Sequence, residues 1–275
     1  MDTHAPLPML DPGLTGQSAR PIPGIDNGYL AGYRVRFDEA GPDGLLRTSA
    51  VLRYAQDVAW RHSEQLGFDR AWYQARGLGW VVRGCELEVR EPIPIGHTLR
   101  VSTAVVGHRR IWARRLGECR LADGRVAATV TTDWVLLDAR NRVVRIPPDF
   151  GVAFTNPEVR SQILRVDPAG NTTADASAGA VIDALEVHVR PSDLDPLDHV
   201  NNAVYVDWLE EALDAAGRRG ASSALPRSYR LEYLASAARG DRVEIGLRGS
   251  AGEWLATVRR KDGADLVRAR GSSAG

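Results

Sequence analysis

The sequence is poor in several things, and each shortage excludes a class of protein. Two cysteines, Cys85 and Cys119, in 275 residues are too few for a disulfide framework and lack the paired spacing of a zinc site. Both read as small apolar residues within strands. The six histidines, His4, His62, His97, His108, His188 and His199, show no ligand spacing with cysteines or paired carboxylates, so neither a metal nor any cofactor is expected. Net charge is also missing. The 35 basic residues balance 35 acidic ones, which argues against binding nucleic acid or a membrane surface through bulk charge. Lysine is almost absent, Lys261 being the only one, so arginine carries the positive charge. No apolar run approaches the roughly 18 residues of a membrane-spanning helix. The opening residues also lack the basic-then-apolar order of a secretion signal. A soluble, cytoplasmic chain without a membrane span is expected.

What the sequence does have is a repeat. Residues 1–27, with Pro6, Pro8, Pro12, Pro21 and Pro23, read as a disordered tail. Then 33–37 alternates like a strand, and Thr48 or Ser49 is expected to cap a helix reaching Gly67 with Leu52, Ala55, Val58, Ala59 and Leu66 on its buried face. Strands are expected over 79–82, 85–90, 98–106, 111–121 and 126–137, punctuated by Pro92, Pro94, Gly96 and the turn Asp123-Gly124. A stretch of small and polar residues around 166–180 reads as a linker. From 181 the order returns: a strand at 185–190, a helix over about 202–216 ended by Gly217, and strands at 228–234, 242–248, 253–259 and 265–270. Leu87-Glu88-Val89 and Gly96 recur as Leu231-Glu232-Tyr233 and Gly240, both 144 residues later. Two units, 28–165 and 181–275, are therefore expected, each an antiparallel sheet wrapping one long helix in an α+β fold.

The chemistry gathers at the entrance to the second helix. Asp193, Asp195, Asp198, His199, Asn201 and Asn202 crowd ahead of an apolar helical pattern of Val204, Trp208, Leu209, Ala212, Leu213 and Ala216. Asn201 or Asn202 can cap that helix, leaving first-turn N–H groups pointing outward, where they and the helix dipole favour developing negative charge. A carboxylate just upstream is placed to activate water or to attack a carbonyl whose oxygen those donors hold.

The run Asp193, Asp195, His199, Val200, Asn201, Asn202, Tyr205 and Trp208 resembles the entrance to the central helix in hotdog-fold thioesterases of the hydroxybenzoyl-CoA type, and most closely the second half of the acyl-ACP thioesterases. In the first half, Ser63-Glu64-Gln65-Leu66-Gly67-Phe68, the strand at 79–82, Arg114-Arg115, Asp133-Trp134-Val135-Leu136 and Arg145-Ile146-Pro147 resemble the same family, from Tyr33 onward. The resemblance implies a tandem, double hotdog that hydrolyses an acyl thioester carried on acyl carrier protein or coenzyme A. It implies Asp195 as general base or nucleophile and His199 as the residue that orients the attacking group. The N–H groups near Asn201, Asn202 and Ala203 would hold the oxyanion, and Asp193 and Asp198 read as solvated loop charges. Gly41 and Leu45 stand at the Asp195 and His199 positions of the first half, 154 residues earlier. That half is therefore expected to supply the acyl pocket, with Gln56, Trp60 and Trp80 as lining candidates.

The chain departs from the family pattern at Leu197, where the family has Asn, and at Ser236 and Ala237, where it has a Glu-Cys pair. These departures keep two alternatives open: an acyl-binding module without hydrolysis, and dehydration or cyclisation of an acyl thioester on the same scaffold. Arg109, Arg110, Arg114 and Arg115 offer a basic patch for an acidic carrier protein. One chain holds both halves, so a monomer or a homodimer is compatible.

Overall fold

In a computed structural model, which describes residues 27–154, 161–167, 183–250 and 252–274, the strands form one ten-stranded antiparallel sheet in the order β1-β3-β4-β5-β2-β7-β10-β9-β8-β6. The first half supplies β1 (Gly28–Arg34), α1 (Thr48–Gln65), α2 (Arg70–Arg76), β2 (Leu78–Val89), β3 (Thr98–His108), β4 (Trp112–Arg120), β5 (Val126–Asp138) and α3 (Pro148–Ala153). The second supplies β6 (Asp183–His188), α4 (Asn202–Ala215), α5 (Gly220–Ser223), β7 (Arg227–Tyr233), β8 (Arg242–Gly249), β9 (Glu253–Arg260) and β10 (Asp265–Ser273). The two expected sheets join where β2 pairs with β7, from Gly84 opposite Glu232 to Val89 opposite Arg227. Edge-to-edge joining removes two free strand edges. The expected tail and most of the expected linker lie outside the described residues.

The repeat is structural as well as sequential. Gly96 and Gly240 share a φ of 80°. The Gly96 N–H donates to the Val35 carbonyl at 3.0 Å, as that of Gly240 does to Val189 at 3.3 Å. The central helices repeat at a spacing of 154: Arg53 on α1 and Asp207 on α4 hold equivalent positions and pair with each other at 2.7 Å. One apolar cluster runs through both halves and includes Val51, Leu52 and Val58 of α1 with Val204, Trp208, Leu209 and Leu213 of α4. Each such side chain contributes roughly 1.5–3 kcal/mol by leaving water. A smaller cluster of Phe68, Tyr73, Val105, Phe150 and Phe154 gathers under α2 and α3.

Several local expectations change. The first strand begins earlier than 33–37, and Phe37, 87% exposed, opens a single 3-10 turn instead. The expected strands at 79–82 and 85–90 are one strand, β2, with an irregularity between Val82 and Gly84. Neither Thr48 nor Ser49 caps α1. The cap position is Arg47, without a side-chain bond, and Thr48 is buried with its Oγ1 accepting from Arg227 Nη2 at 3.1 Å. No described helix is long and apolar enough to cross a membrane.

Candidate active site

After β6 the chain makes a 3-10 turn, Pro191–Asp193. Asp193 is buried, not solvated: its Oδ2 accepts the Arg190 N–H at 2.8 Å, its Oδ1 pairs with the Arg190 guanidinium at 3.0 Å, and its carbonyl accepts the Asn201 N–H at 2.9 Å. It is a brace for the helix entrance. Above it, Leu194 and Val200 pair as an isolated bridge and 195–199 forms a tight reversal. The Asp195 N–H donates to the His199 carbonyl at 2.8 Å and the Asp198 N–H to the Asp195 carbonyl at 2.9 Å. Asp198 closes the turn at φ 60°, a left-handed conformation that Asp tolerates because its short polar side chain can bond locally.

This reversal brings Asp195 and His199 opposite one another at its base. Asp195 Oδ1 accepts the Leu197 N–H at 2.8 Å, an Asx turn that fixes the carboxylate. Among the described residues nothing bonds to Oδ2 or to the His199 imidazole, and both residues are half-buried. The Val200 N–H donates to the Ala237 carbonyl at 3.0 Å, so the loop is fastened to the connection between β7 and β8.

At the helix entrance Asn201 is the cap, its Oδ1 accepting the Ala203 N–H at 2.9 Å. Of the expected oxyanion donors, the Ala203 N–H therefore donates to this cap, and the Asn201 N–H donates to the Asp193 carbonyl. Asn202 occupies the first helical position, where the helix offers its N–H no acceptor. Its carbonyl accepts from the Tyr233 hydroxyl at 3.1 Å.

Of the three pocket candidates, Gln56 lines a cavity. That cavity lies between α1 and the first half of the sheet and has a volume of about 10 Å³. Trp60 points outward, 41% exposed, and leans on Tyr73. Trp80 stands edge-on to Phe150, 5.5 Å between centroids, at the margin of the smaller cluster. Glu210, at the Gln56 position of the second half, instead accepts from the Tyr229 hydroxyl at 2.7 Å. Burial pushes its carboxyl above the usual range.

Residues 26–154 match the acyl-ACP thioesterase N-terminal domain and residues 178–268 match the C-terminal domain. The chain belongs to the acyl-ACP thioesterase family. It is 27% identical over 197 residues to a dodecanoyl-[acyl-carrier-protein] hydrolase of Umbellularia californica, a match covering 66% of this chain and 50% of that protein. To a palmitoyl-acyl carrier protein thioesterase of Arabidopsis thaliana it is 26% identical over 264 residues, 88% of this chain and 63% of that one. The chain thus spans about half the length of the curated relatives it matches. Two solved structures share the double-hotdog fold. An acyl-ACP thioesterase from Bacteroides thetaiotaomicron superposes with TM-score 0.74 at 16% identity, covering 90% of this chain and 97% of that one. The 12:0-ACP thioesterase from Umbellularia californica gives 0.72 at 24% identity, covering 89% and 96%.

Where the chain departs from the acyl-ACP thioesterase pattern, the structure shows what replaces it. Leu197 projects into solvent, 56% exposed, from the turn that holds Asp195. Ala237 is buried and donates its N–H to the Tyr205 hydroxyl at 3.0 Å. Burial pushes that hydroxyl up to about 12. The basic patch is only partly a surface. Arg114 is tied to Asp133 at 2.7 Å, and Arg115 turns inward to line the cavity beside Gln56. Alternation along β4 requires that one of the two face inward. It does not say which, so the inward arginine went unrecognised in the sequence.

Proposed function

We propose that this chain hydrolyses an acyl thioester, with Asp195 as the base. The observation that carries the reading is the Asp195 carboxylate, fixed through Oδ1 and open at Oδ2, directly ahead of a capped helix. A water on Oδ2 loses a proton to the carboxylate as its oxygen attacks the thioester carbon. The carbonyl oxygen takes up the negative charge near the Asn202 N–H and the positive end of α4. The carbon–sulfur bond then breaks, and the thiolate takes up the proton to leave as free thiol while the acid is released. His199, opposite Asp195, orients the water. The first half supplies the acyl pocket along α1, and the relatives' substrates make acyl carrier protein the first carrier to test, with coenzyme A second.

Thiol release from a panel of acyl-ACP and acyl-CoA thioesters tests this. Asp195→Asn is expected to lower the rate by about 100-fold or more, and an undiminished rate would remove Asp195 from the mechanism. Leu197 and Ala237 favour a second reading, an acyl-binding module without turnover. Tight binding of acyl thioesters with no thiol release from the parent would establish that one instead.

A further inference from the structure

The two halves build their helix entrances alike, so each serves as a control for the other. At the α4 entrance the Asp195 N–H donates to the His199 carbonyl at 2.8 Å and the Asn201 N–H to the Asp193 carbonyl at 2.9 Å. At the α1 entrance, 154 residues earlier in the sequence, the Gly41 N–H donates to the Leu45 carbonyl at 2.8 Å and the Arg47 N–H to the Glu39 carbonyl at 3.0 Å. The tether to a following loop is duplicated too. The Val200 N–H donates to the Ala237 carbonyl at 3.0 Å, and the Leu46 N–H to the Ile93 carbonyl at 2.8 Å. Bonds shared by both entrances belong to the fold, and a bond present at the α4 entrance alone points to what that entrance does.

One such bond runs from the Ala237 N–H to the Tyr205 hydroxyl at 3.0 Å. Its counterpart cannot form, because the Tyr205 position of α1 is Val51, and no partner for the Ile93 N–H is found among the described residues. Another runs from the Tyr233 hydroxyl to the Asn202 carbonyl at 3.1 Å, where the first half has Val89. Both hydroxyls stand in the half that holds Asp195 and His199. Ala237 is thereby gripped twice, its N–H by α4 and its carbonyl by the 195–199 reversal. It is fully buried, so without Tyr205 no water replaces the lost bond. Burial pushes the Tyr205 hydroxyl up to about 12, the charges of Asp241 and Asp195 adding to the effect, so it stays neutral and goes on accepting from Ala237. The grip matters because the base stands on the reversal and the oxyanion donor on the helix, and a misplacement of about 1 Å can cost about 100-fold in rate.

We propose that Tyr205 is a positioning residue: acting through Ala237 and Val200, its hydroxyl sets the Asp195 carboxylate against the first turn of α4. This role rests on the reading of Asp195 as the base, and the two can fail separately.

Steady-state hydrolysis is measured for Tyr205→Phe, Asp195→Asn and the double variant. Tyr205→Phe is expected to lower kcat about 10- to 100-fold with KM nearly unchanged. In the Asp195→Asn background it should lower kcat no further, because it acts through that carboxylate. Gly84→Ala, whose Cβ would stand 2.7 Å from Leu164 on the outer face of the sheet, is destabilised away from the site and should keep the parental kcat. Parental kcat in Tyr205→Phe, equal losses in Tyr205→Phe and Gly84→Ala, or full additivity in the double variant overturns the positioning role while leaving Asp195 in place. Parental kcat in Asp195→Asn removes the base, and this role for Tyr205 with it. Amide hydrogen exchange tests the grip without turnover. In the parent the Ala237 amide should exchange about tenfold or more slowly than the Ile93 amide, a comparison that needs no variant to fold. Tyr205→Phe should speed exchange across 195–201 about tenfold and leave 41–47 unchanged. Equal rates at Ala237 and Ile93, or unmoved exchange across 195–201, overturn the proposal whatever the hydrolysis shows.

Discussion

The Leu164 N–H donates to Asp133 Oδ2 at 2.6 Å. Two residues on, the Val166 N–H donates to Glu232 Oε2 at 3.2 Å. Asp133 belongs to β5 of the first half and Glu232 to β7 of the second, and each carries an arginine partner, Arg114 and Arg83 respectively. The segment 161–167 therefore straps the outer face of the sheet across the seam between halves. Asp133 is fully buried, so Asp133→Ala would leave Arg114 without its counter-charge and free the strap at one end. A loss of roughly 3–5 kcal/mol is expected, read as a lower urea midpoint. An unchanged midpoint would mean that the strap contributes nothing to stability.

Gly84 lies directly beneath that strap. A Cβ added there would stand 2.7 Å from both Leu164 Cβ and the Leu164 carbonyl oxygen. Gly84→Ala should cost about 1–3 kcal/mol through overpacking. Leu164→Ala should not rescue it, because the clash involves the carbonyl and Cβ, not the end of the leucine side chain. Rescue would show that the strap shifts freely.

His62 gives the fold a pH dependence of known sign. Burial, and secondarily the Arg115 charge, hold its imidazole near 3 in the folded chain, against an ordinary value of 6.5. Between those values the unfolded chain binds a proton that the folded chain refuses, so stability falls as pH drops through that window, by up to about 1.4 kcal/mol per pH unit. Thermal unfolding of His62→Gln against the parent from neutral pH downward checks this. The stability difference between the two should be constant above pH 7 and should move against the parent below about 6.5. Parallel curves would show that the imidazole titrates normally.

The repeat could be read from the sequence because it rests on local signals. Gly96 and Gly240 are required by a positive φ, and Asp123-Gly124 and Asp262-Gly263 by tight turns; Gly124 and Gly263 have φ of 88° and 92°. The entrance to α4 was visible for the same reason, since an Asn cap and an Asx turn are written within a few residues. What escaped depends on distant partners. Thr48 looks like a cap but bonds to Arg227, 179 residues away. Asp193 looks solvated but is buried by its return contact with Asn201. Arg115 stands out in the sequence as half of the Arg114-Arg115 pair, but its inward direction carries no local signal, because an arginine on a half-buried strand is ordinarily assigned to the solvent face. The short helices α2, α3 and α5 carry too few turns for a period to show.

The cap at Asn201 links stability to the proposed chemistry, and the two can be separated. Asn201→Ala removes the acceptor for the Ala203 N–H and should cost about 1 kcal/mol. It should also lower kcat for thioester hydrolysis, because the first turn of α4 then frays and the Asn202 N–H loses its fixed direction. Asn201→Ser restores a capping oxygen and should recover both stability and kcat. If Asn201→Ser recovers stability but not kcat, the Asn201 amide acts on the substrate itself. If kcat never falls in Asn201→Ala, the oxyanion is held elsewhere than at the α4 entrance.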